Sequence, residues 1–238
     1  MTTVSSPAIR AVLFDKDGTL IDFHKTWEPP IRLAALHAAN GDQALADHLM
    51  RSGGMDPVSG HTGGDSLLAA GNTAEIAVEW IAAGSPHSLE ALVPALDAIF
   101  VAAVDGAVAV TDLAAFFRRL KARNLRTGIA SSDSEAAIRG LIARFGMEAD
   151  IDFVAGYDSG HGVKPEAGML LAFAEAVGVR PQEVAMVGDN LHDMHMAAAA
   201  GAGLRFAVLT GTGAPETLAA ASDFCLPSIL DVETHLCG

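Results

Sequence analysis

Ile9-Arg10-Ala11-Val12-Leu13-Phe14-Asp15-Lys16-Asp17-Gly18-Thr19-Leu20 is the stretch that decides the fold. Its first half is a short, largely apolar run. Its second half breaks abruptly into charged and turn-forming residues. Such a run predicts a parallel strand buried on both faces that ends in a polar turn. A strand of that kind needs parallel neighbours and covering helices, so the rest of the chain has to supply them.

From residue 111 onward it does. The pattern predicts a helix over 112–123 with Thr111 as its N-cap, a strand over 125–130 and a helix over 134–145. A short strand follows at 152–155. The next helix is expected over 165–177, with Pro165 at its start and Gly178 after its end. A strand at 184–187, a helix at 191–200 closed by Gly201, and a strand at 204–209 complete the alternation. Phe224-Cys225-Leu226 reads as an edge strand. Between 26 and 103 the pattern is different. Ala- and Leu-rich stretches are separated by Gly53-Gly54, by Gly60 to Gly64 and by Gly84-Ser85-Pro86, and no strand is evident. A βα unit needs only about 30 residues, so this longer gap is read as an inserted helical subdomain. The expected architecture is α/β: a Rossmann-like three-layer parallel-sheet core from 1–20 and 109–238, carrying an inserted α-helical cap over 21–108.

Composition narrows the function classes. The chain has 238 residues, half of them apolar, and a formal charge of −14. That charge argues against a general nucleic-acid binder, which needs a basic field. An anionic substrate would need a local positive site, supplied by a metal or a few placed cations. The two cysteines, Cys225 and Cys237, form no CxxC pair and no disulfide framework, as expected of a cytoplasmic protein. No basic-then-apolar leader is seen, and no run has the roughly 18 apolar residues of a membrane span. The nearest candidate, 98–110, is interrupted by Asp105 and Gly106. A monomer and a homodimer are both compatible with the apolar cap helices.

In open parallel sheets, sites form beyond the carboxyl ends of the strands. Asp15 and Asp17 follow the first predicted strand, Ser131, Ser132 and Asp133 the second, and Gly188, Asp189 and Asp193 a later one. Lys164 precedes a helix on the same rim. Asp15 and Asp17, two positions apart, face the same way in an extended segment. Two close carboxylates repel, and a divalent cation relieves the repulsion. Asp189 adds a third carboxylate and Asp193 an outer one, an oxygen set that suits Mg²⁺. Lys164 brings a positive charge, Ser131 and Ser132 hydroxyls, and Gly18 close backbone approach with exposed N–H groups. Together they predict a site for a phosphoryl group. Each alone has a plainer reading. Asp-x-Asp-Gly is a common turn, Asp189 or a serine can cap a helix, and Lys164 can be a solvated lysine. Four such clusters at successive strand ends favour the joint reading.

These residues resemble the four motifs of the haloacid dehalogenase-like hydrolase superfamily. The matches are Phe14-Asp15-Lys16-Asp17-Gly18-Thr19-Leu20, Ile129-Ala130-Ser131, Gly162-Val163-Lys164-Pro165-Glu166 and Gly188-Asp189-Asn190-Leu191-His192-Asp193. The insert after the first motif is similar to the family's C1-type cap, and the strongest likeness is to phosphoglycolate phosphatases. The resemblance implies Mg²⁺ held by Asp15, the Asp17 main-chain carbonyl and Asp189, with Asp193 orienting its waters. It implies Asp15 as nucleophile, Asp17 as acid and base, and Ser131 and Lys164 on the phosphate oxygens. The implied substrate is a small phosphate ester, 2-phosphoglycolate or a sugar phosphate. A phosphosugar mutase is the alternative, although the cap loop 59–66 lacks the Lys or Arg that would grip a second phosphate. Phe23, standing where relatives often have Ser or Thr, departs from the pattern. His24 and Trp27, at the entrance to the cap, and His61, in its Gly-rich loop, are candidate substrate contacts, with local packing or exposure as the alternative. His192 and His195 are a poor zinc pair beside so many carboxylates. Gly211-Thr212-Gly213 reads as a turn.

Overall fold

The computed structural model describes residues 8–64 and 66–236; Asp65 of the Gly-rich loop and the Cys237 thiol lie outside them. Among the described residues, six strands form one sheet. They are β1 (Ala11–Phe14), β2 (Arg126–Ala130), β3 (Phe153–Ala155), β4 (Val184–Gly188), β5 (Leu204–Val208) and β6 (Phe224–Leu226). Their order is β3-β2-β1-β4-β5-β6, and every neighbouring pair is parallel.

Between β1 and β2 lie α1 (Phe23–Ala38), α2 (Gln43–Ser52), α3 (Leu67–Ala70), α4 (Thr73–Ala82) and α5 (Leu89–Ala103). The later helices are α6 (Leu113–Ala122), α7 (Glu135–Arg144), α8 (Gly168–Val177), α9 (Leu191–Ala200), α10 (Pro215–Ala221) and α11 (Ile229–His235). None is long and apolar enough to cross a membrane.

The period of two along each strand sorts the core into layers. Val12 and Phe14 join Ile129, Val187 and Phe206 under α6, α7 and α11, where Phe116, Leu141 and Val232 are buried. Ala11 and Leu13 point the other way with Val184 and Met186, against Phe173 of α8 and Met196 of α9. The α/β three-layer arrangement read from the sequence is therefore the observed one.

The inserted helices have a hydrophobic cluster of their own, including Phe23, Trp27, Leu49, Trp80, Leu92 and Phe100. At its centre Trp80 is fully buried, and its indole N–H donates to the Leu49 carbonyl at 2.8 Å. Entry to and exit from this segment run side by side. Asp22 N donates to Val108 O at 2.8 Å, and Val110 N to Leu20 O at 3.0 Å.

Several local expectations shift. Asp112, not Thr111, caps α6, because its carboxylate accepts from Ala115 N at 3.0 Å, three residues on. The helix expected from Pro165 starts at Gly168 instead. Residue 164, preceding proline, is disfavoured in helical geometry, and the chain makes a turn there, with Glu166 N donating to Val163 O at 2.8 Å. Other ends move by a residue or two, as helix and strand ends commonly do.

Candidate active site

Parallel register brings Phe14 level with Ile129 on one side and Val187 on the other. Three connections therefore leave the sheet at one rim. Asp15 N still donates to Val187 O at 2.8 Å and Ser131 N to Ala155 O at 3.0 Å, so both residues start from fixed backbone. The rim faces the inserted helices across a cleft partly open to solvent. Asp15, Asp17, Ser131, Ser132, Lys164, Asp189 and Asp193 all line it.

The carboxylates divide into two groups. Asp15, Asp189 and Asp193, all buried, offer oxygens within 4.8 Å of one another. The Lys164 ammonium sits among them, 2.6 Å from Asp15 Oδ1 and 2.6 Å from Asp193 Oδ1. Asp193 also closes the start of α9, where its Oδ2 accepts from Asn190 N at 3.2 Å. Asp189 accepts from Thr212 N at 2.9 Å and from the Thr19 hydroxyl at 3.5 Å.

Asp17 has other partners. Its carboxylate accepts from the Trp27 indole N–H at 2.5 Å, from Lys16 Nζ at 2.7 Å and from the Ser131 hydroxyl at 3.4 Å. Asp15 and Asp17 thus open on one cleft, as their spacing predicts, but the Asp17 carboxylate stands outside the group of three.

Burial is the largest electrostatic influence here. It pushes the Asp15 carboxyl up to about 7; Lys164 opposes this, while Asp193 and Asp17 add to it. Burial also raises Asp189 well above the ordinary carboxylate range, reinforced by Asp15 and Asp193. For Lys164, burial works to lower the ammonium, but Asp15 and Asp193 outweigh it and the net direction is upward. Lys164 therefore stays charged, while burial favours the neutral form of the Asp15 and Asp189 carboxyls. An all-oxygen set with surplus negative charge fits a hard divalent cation.

The remaining sequence candidates fall in different places. Gly18 has φ of +79°, and a Cβ there would stand 2.5 Å from Asp189 Oδ2, so glycine makes room for that carboxylate. Its own N–H donates to Ile21 O at 2.8 Å and is not turned to the cleft. The Ser132 hydroxyl donates to Ala70 O of α3 at 2.9 Å, which ties the rim to the inserted helices. Trp27 lines the cleft and also holds Asp17, a connection that neither packing at a hinge nor substrate contact anticipated. His24 and His61 stack on each other with ring centroids 5.3 Å apart and are not among the cleft residues. His192 lines the cleft with a buried Nδ1 that has no hydrogen-bond partner, whereas His195 is exposed. Among the described residues no histidine or cysteine joins the carboxylate group.

Sequence reasoning passed over Lys16 and gave Asp133 no role. The Lys16 side chain is 1% exposed, and its ammonium reaches both Asp17 and Asp133, the latter at 3.1 Å. It also lies 5.0 Å from the centroid of the Trp27 ring. The available signal was a lysine enclosed between two candidate site carboxylates, Asp15 and Asp17, a position that solvation alone does not explain.

Comparison with known proteins bears on this geometry. The haloacid dehalogenase-like hydrolase family matches residues 9–201. A phosphoglycolate phosphatase of Chromobacterium violaceum is 30% identical over 113 residues, 48% of this chain and 50% of that protein. One from Rhodospirillum rubrum is 34% identical over 82 residues, 34% of each. The matched part thus spans half or less of the length of these curated relatives. Among solved structures, a hydrolase from Pseudomonas syringae superposes with a TM-score of 0.71 at 21% identity, covering 97% of this chain and 98% of the other. At that identity the likeness is one of fold.

Proposed function

Because the chain belongs to the haloacid dehalogenase-like hydrolase family, we propose that it is a Mg²⁺-dependent phosphomonoester hydrolase acting on a small phosphorylated metabolite through an aspartyl-phosphate. Of the described residues, those within 1–20 and 109–238 would form its catalytic core, and those within 21–108 its cap. One observation carries the reading. Asp15 lies beside Lys164 and two further carboxylates, while Asp17, on the same cleft, is held by Trp27, Lys16 and Ser131. Two carboxylates in different surroundings can take different tasks.

Asp15 attacks phosphorus, forming an O–P bond as the bond to the leaving oxygen breaks. Asp17 gives that oxygen its proton. In the second half Asp17 takes a proton from water, whose oxygen bonds to phosphorus as the Asp15–phosphorus bond breaks. The net change is ester plus water to alcohol plus phosphate. Ser131 and Lys164 hold the phosphate oxygens through the transfer. Asp15, the Asp17 main-chain carbonyl and Asp189 would hold Mg²⁺, with Asp193 orienting its waters. When bound, the cation supplies charge neutralisation at the phosphate oxygens and lets neighbouring carboxylates stay ionised.

Hydrolysis is favoured over transfer to a phosphosugar. The only lysines and arginines in 21–108 are Lys25, Arg32 and Arg51. Lys25 pairs with Asp22 and Arg32 with Glu28, and none of the three lines the cleft. No cap cation is therefore in place for a second phosphate.

The test is phosphate release from a panel of small esters, 2-phosphoglycolate and sugar phosphates among them, with Mg²⁺ and with chelator. The expected result is release that chelator stops and that Asp15→Asn abolishes. Full activity in that variant would refute Asp15 as the nucleophile.

A further inference from the structure

The cleft has two unlike ends. The sheet rim is crowded with charge. The side chains that the inserted helices bring to the cleft are mostly apolar, Phe23, Trp27 and Ile31 of α1, Leu68 of α3, Ile76 of α4 and Phe100 of α5 among them, with Thr73 as their one hydroxyl. Trp27 and Phe100 meet edge to face there, with centroids 5.3 Å apart. The lysines of the site, Lys16 and Lys164, are both buried and already paired with carboxylates, and no arginine lines the cleft among the described residues.

From this charge distribution we propose that the organic part of the substrate is neutral and apolar, an alkyl or aryl group, rather than a second anionic group such as the carboxylate of phosphoglycolate. The inference rests on the phosphomonoesterase reading and gives its substrate class. The charges leave little alternative. Five acidic side chains, those of Asp15, Asp17, Asp133, Asp189 and Asp193, line the cleft with a single lysine, Lys164. A second anion on the ester would meet no unpaired lysine or arginine in the cleft and, against the inserted helices, would lie desolvated beside hydrocarbon. A hydrocarbon group leaves water for a wall of aromatic and branched aliphatic side chains, the usual lining of a selective pocket. Discrimination then comes as much from rejecting the charged ester as from attracting the apolar one.

The experiment is a ladder of primary alkyl phosphates, ethyl, n-butyl and n-hexyl, beside 5-carboxypentyl phosphate and 2-phosphoglycolate. The alkanols differ little as leaving groups, so the ladder reads the wall rather than the chemistry. It is run twice: as kcat/KM of the wild-type enzyme with Mg²⁺, and as affinity for Asp15→Asn with Mg²⁺ by calorimetry. Affinity is expected to rise from ethyl to n-hexyl by roughly two- to fourfold per methylene. The carboxypentyl ester is expected to bind at least about tenfold more weakly than n-hexyl. Affinities that stay flat or fall with chain length, or a preference for either carboxylate ester, would overturn the proposal. The two readouts separate the two claims. Turnover of 2-phosphoglycolate above the alkyl esters would sink the substrate class and keep the phosphatase. No phosphate from any ester, with the affinity ladder intact, would sink the phosphatase and keep the apolar preference of the cleft.

Discussion

Replacing Lys16 by Met keeps the aliphatic stem and removes the ammonium. That ammonium is 2.7 Å from Asp17 and 3.1 Å from Asp133, on a side chain 1% exposed. The two carboxylates are not equally dependent on it. Asp17 is 16% exposed and retains the Trp27 and Ser131 donors. Asp133 is 6% exposed and keeps only the Ser134 N–H on Oδ1; its Oδ2 lies 3.1 Å from the Lys16 ammonium, which is its salt-bridge partner. Breaking a buried pair by removing one partner costs about 3–5 kcal/mol, because a charge is left uncompensated. In a chain of this length that lowers Tm by roughly 6–20 °C. Thermal unfolding followed by circular dichroism, in EDTA, measures it. Two further results are expected if charge is the cause. Adding Asp133→Asn to Lys16→Met should recover at least about half of the loss, as neutralising the stranded group removes its desolvation penalty. The defect should also be smaller at pH 5 than at pH 8. Burial already raises the Asp133 carboxyl, and without Lys16 it rises further, so acid neutralises it. A Tm change below about 2 °C, or no recovery in the double variant, would refute the view that Lys16 neutralises the Asp17–Asp133 pair.

Folded Asp15 and Asp189 carboxyls sit above their unfolded values, Asp15 at about 7, so protons are held more tightly by the native state. Stability from this source is full below the unfolded value near 3.8 and is lost as pH rises towards about 7. The protein in EDTA should therefore melt earlier at pH 7.5 than at pH 5.5, and Mg²⁺ should raise Tm chiefly at the higher pH; a Tm in EDTA that climbs over this range would contradict the assignment. Gly18→Ala should cripple phosphate release and lower Tm, since φ of +79° is strained for alanine and its Cβ would meet Asp189 Oδ2 at 2.5 Å. Unchanged kinetics would show that the loop can give way. Trp80→Ala removes the central side chain of the inserted helices and its bond to Leu49 O, at a cost of about 3–5 kcal/mol, read by urea unfolding. A cost under about 1 kcal/mol would mean that this cluster contributes little to stability.

Much of this molecule is written in short stretches of sequence. The run 11–14 breaking into Asp15-Lys16-Asp17-Gly18, the alternation of strand and helix after 111, and Gly178 and Gly201 in left-handed geometry after their helices all depend on neighbours within a few positions. Hydrophobic period and turn chemistry are local properties, so the α/β class and the rim bearing Asp15, Ser131, Lys164 and Asp189 could be read without coordinates. The limits of local reading appear where two local signals compete, as at Thr111 and Asp112, or where a turn displaces a helix start, as at Lys164-Pro165.

What the sequence alone did not contain is every relation set by packing between distant segments. The strand order β3-β2-β1-β4-β5-β6 is one. The bond from Trp27 to Asp17 is another, because it requires α1 to fold back over the rim. The joining of Asp193 to Asp15 through Lys164 spans 149 positions on one side and 29 on the other. The facing of an apolar wall against a charged rim arises only when the inserted helices, which bury their own core, sit across from the sheet. Residue types and their local period fixed what each segment becomes; distances between side chains, and with them charge, burial and selectivity, exist only once the segments are packed.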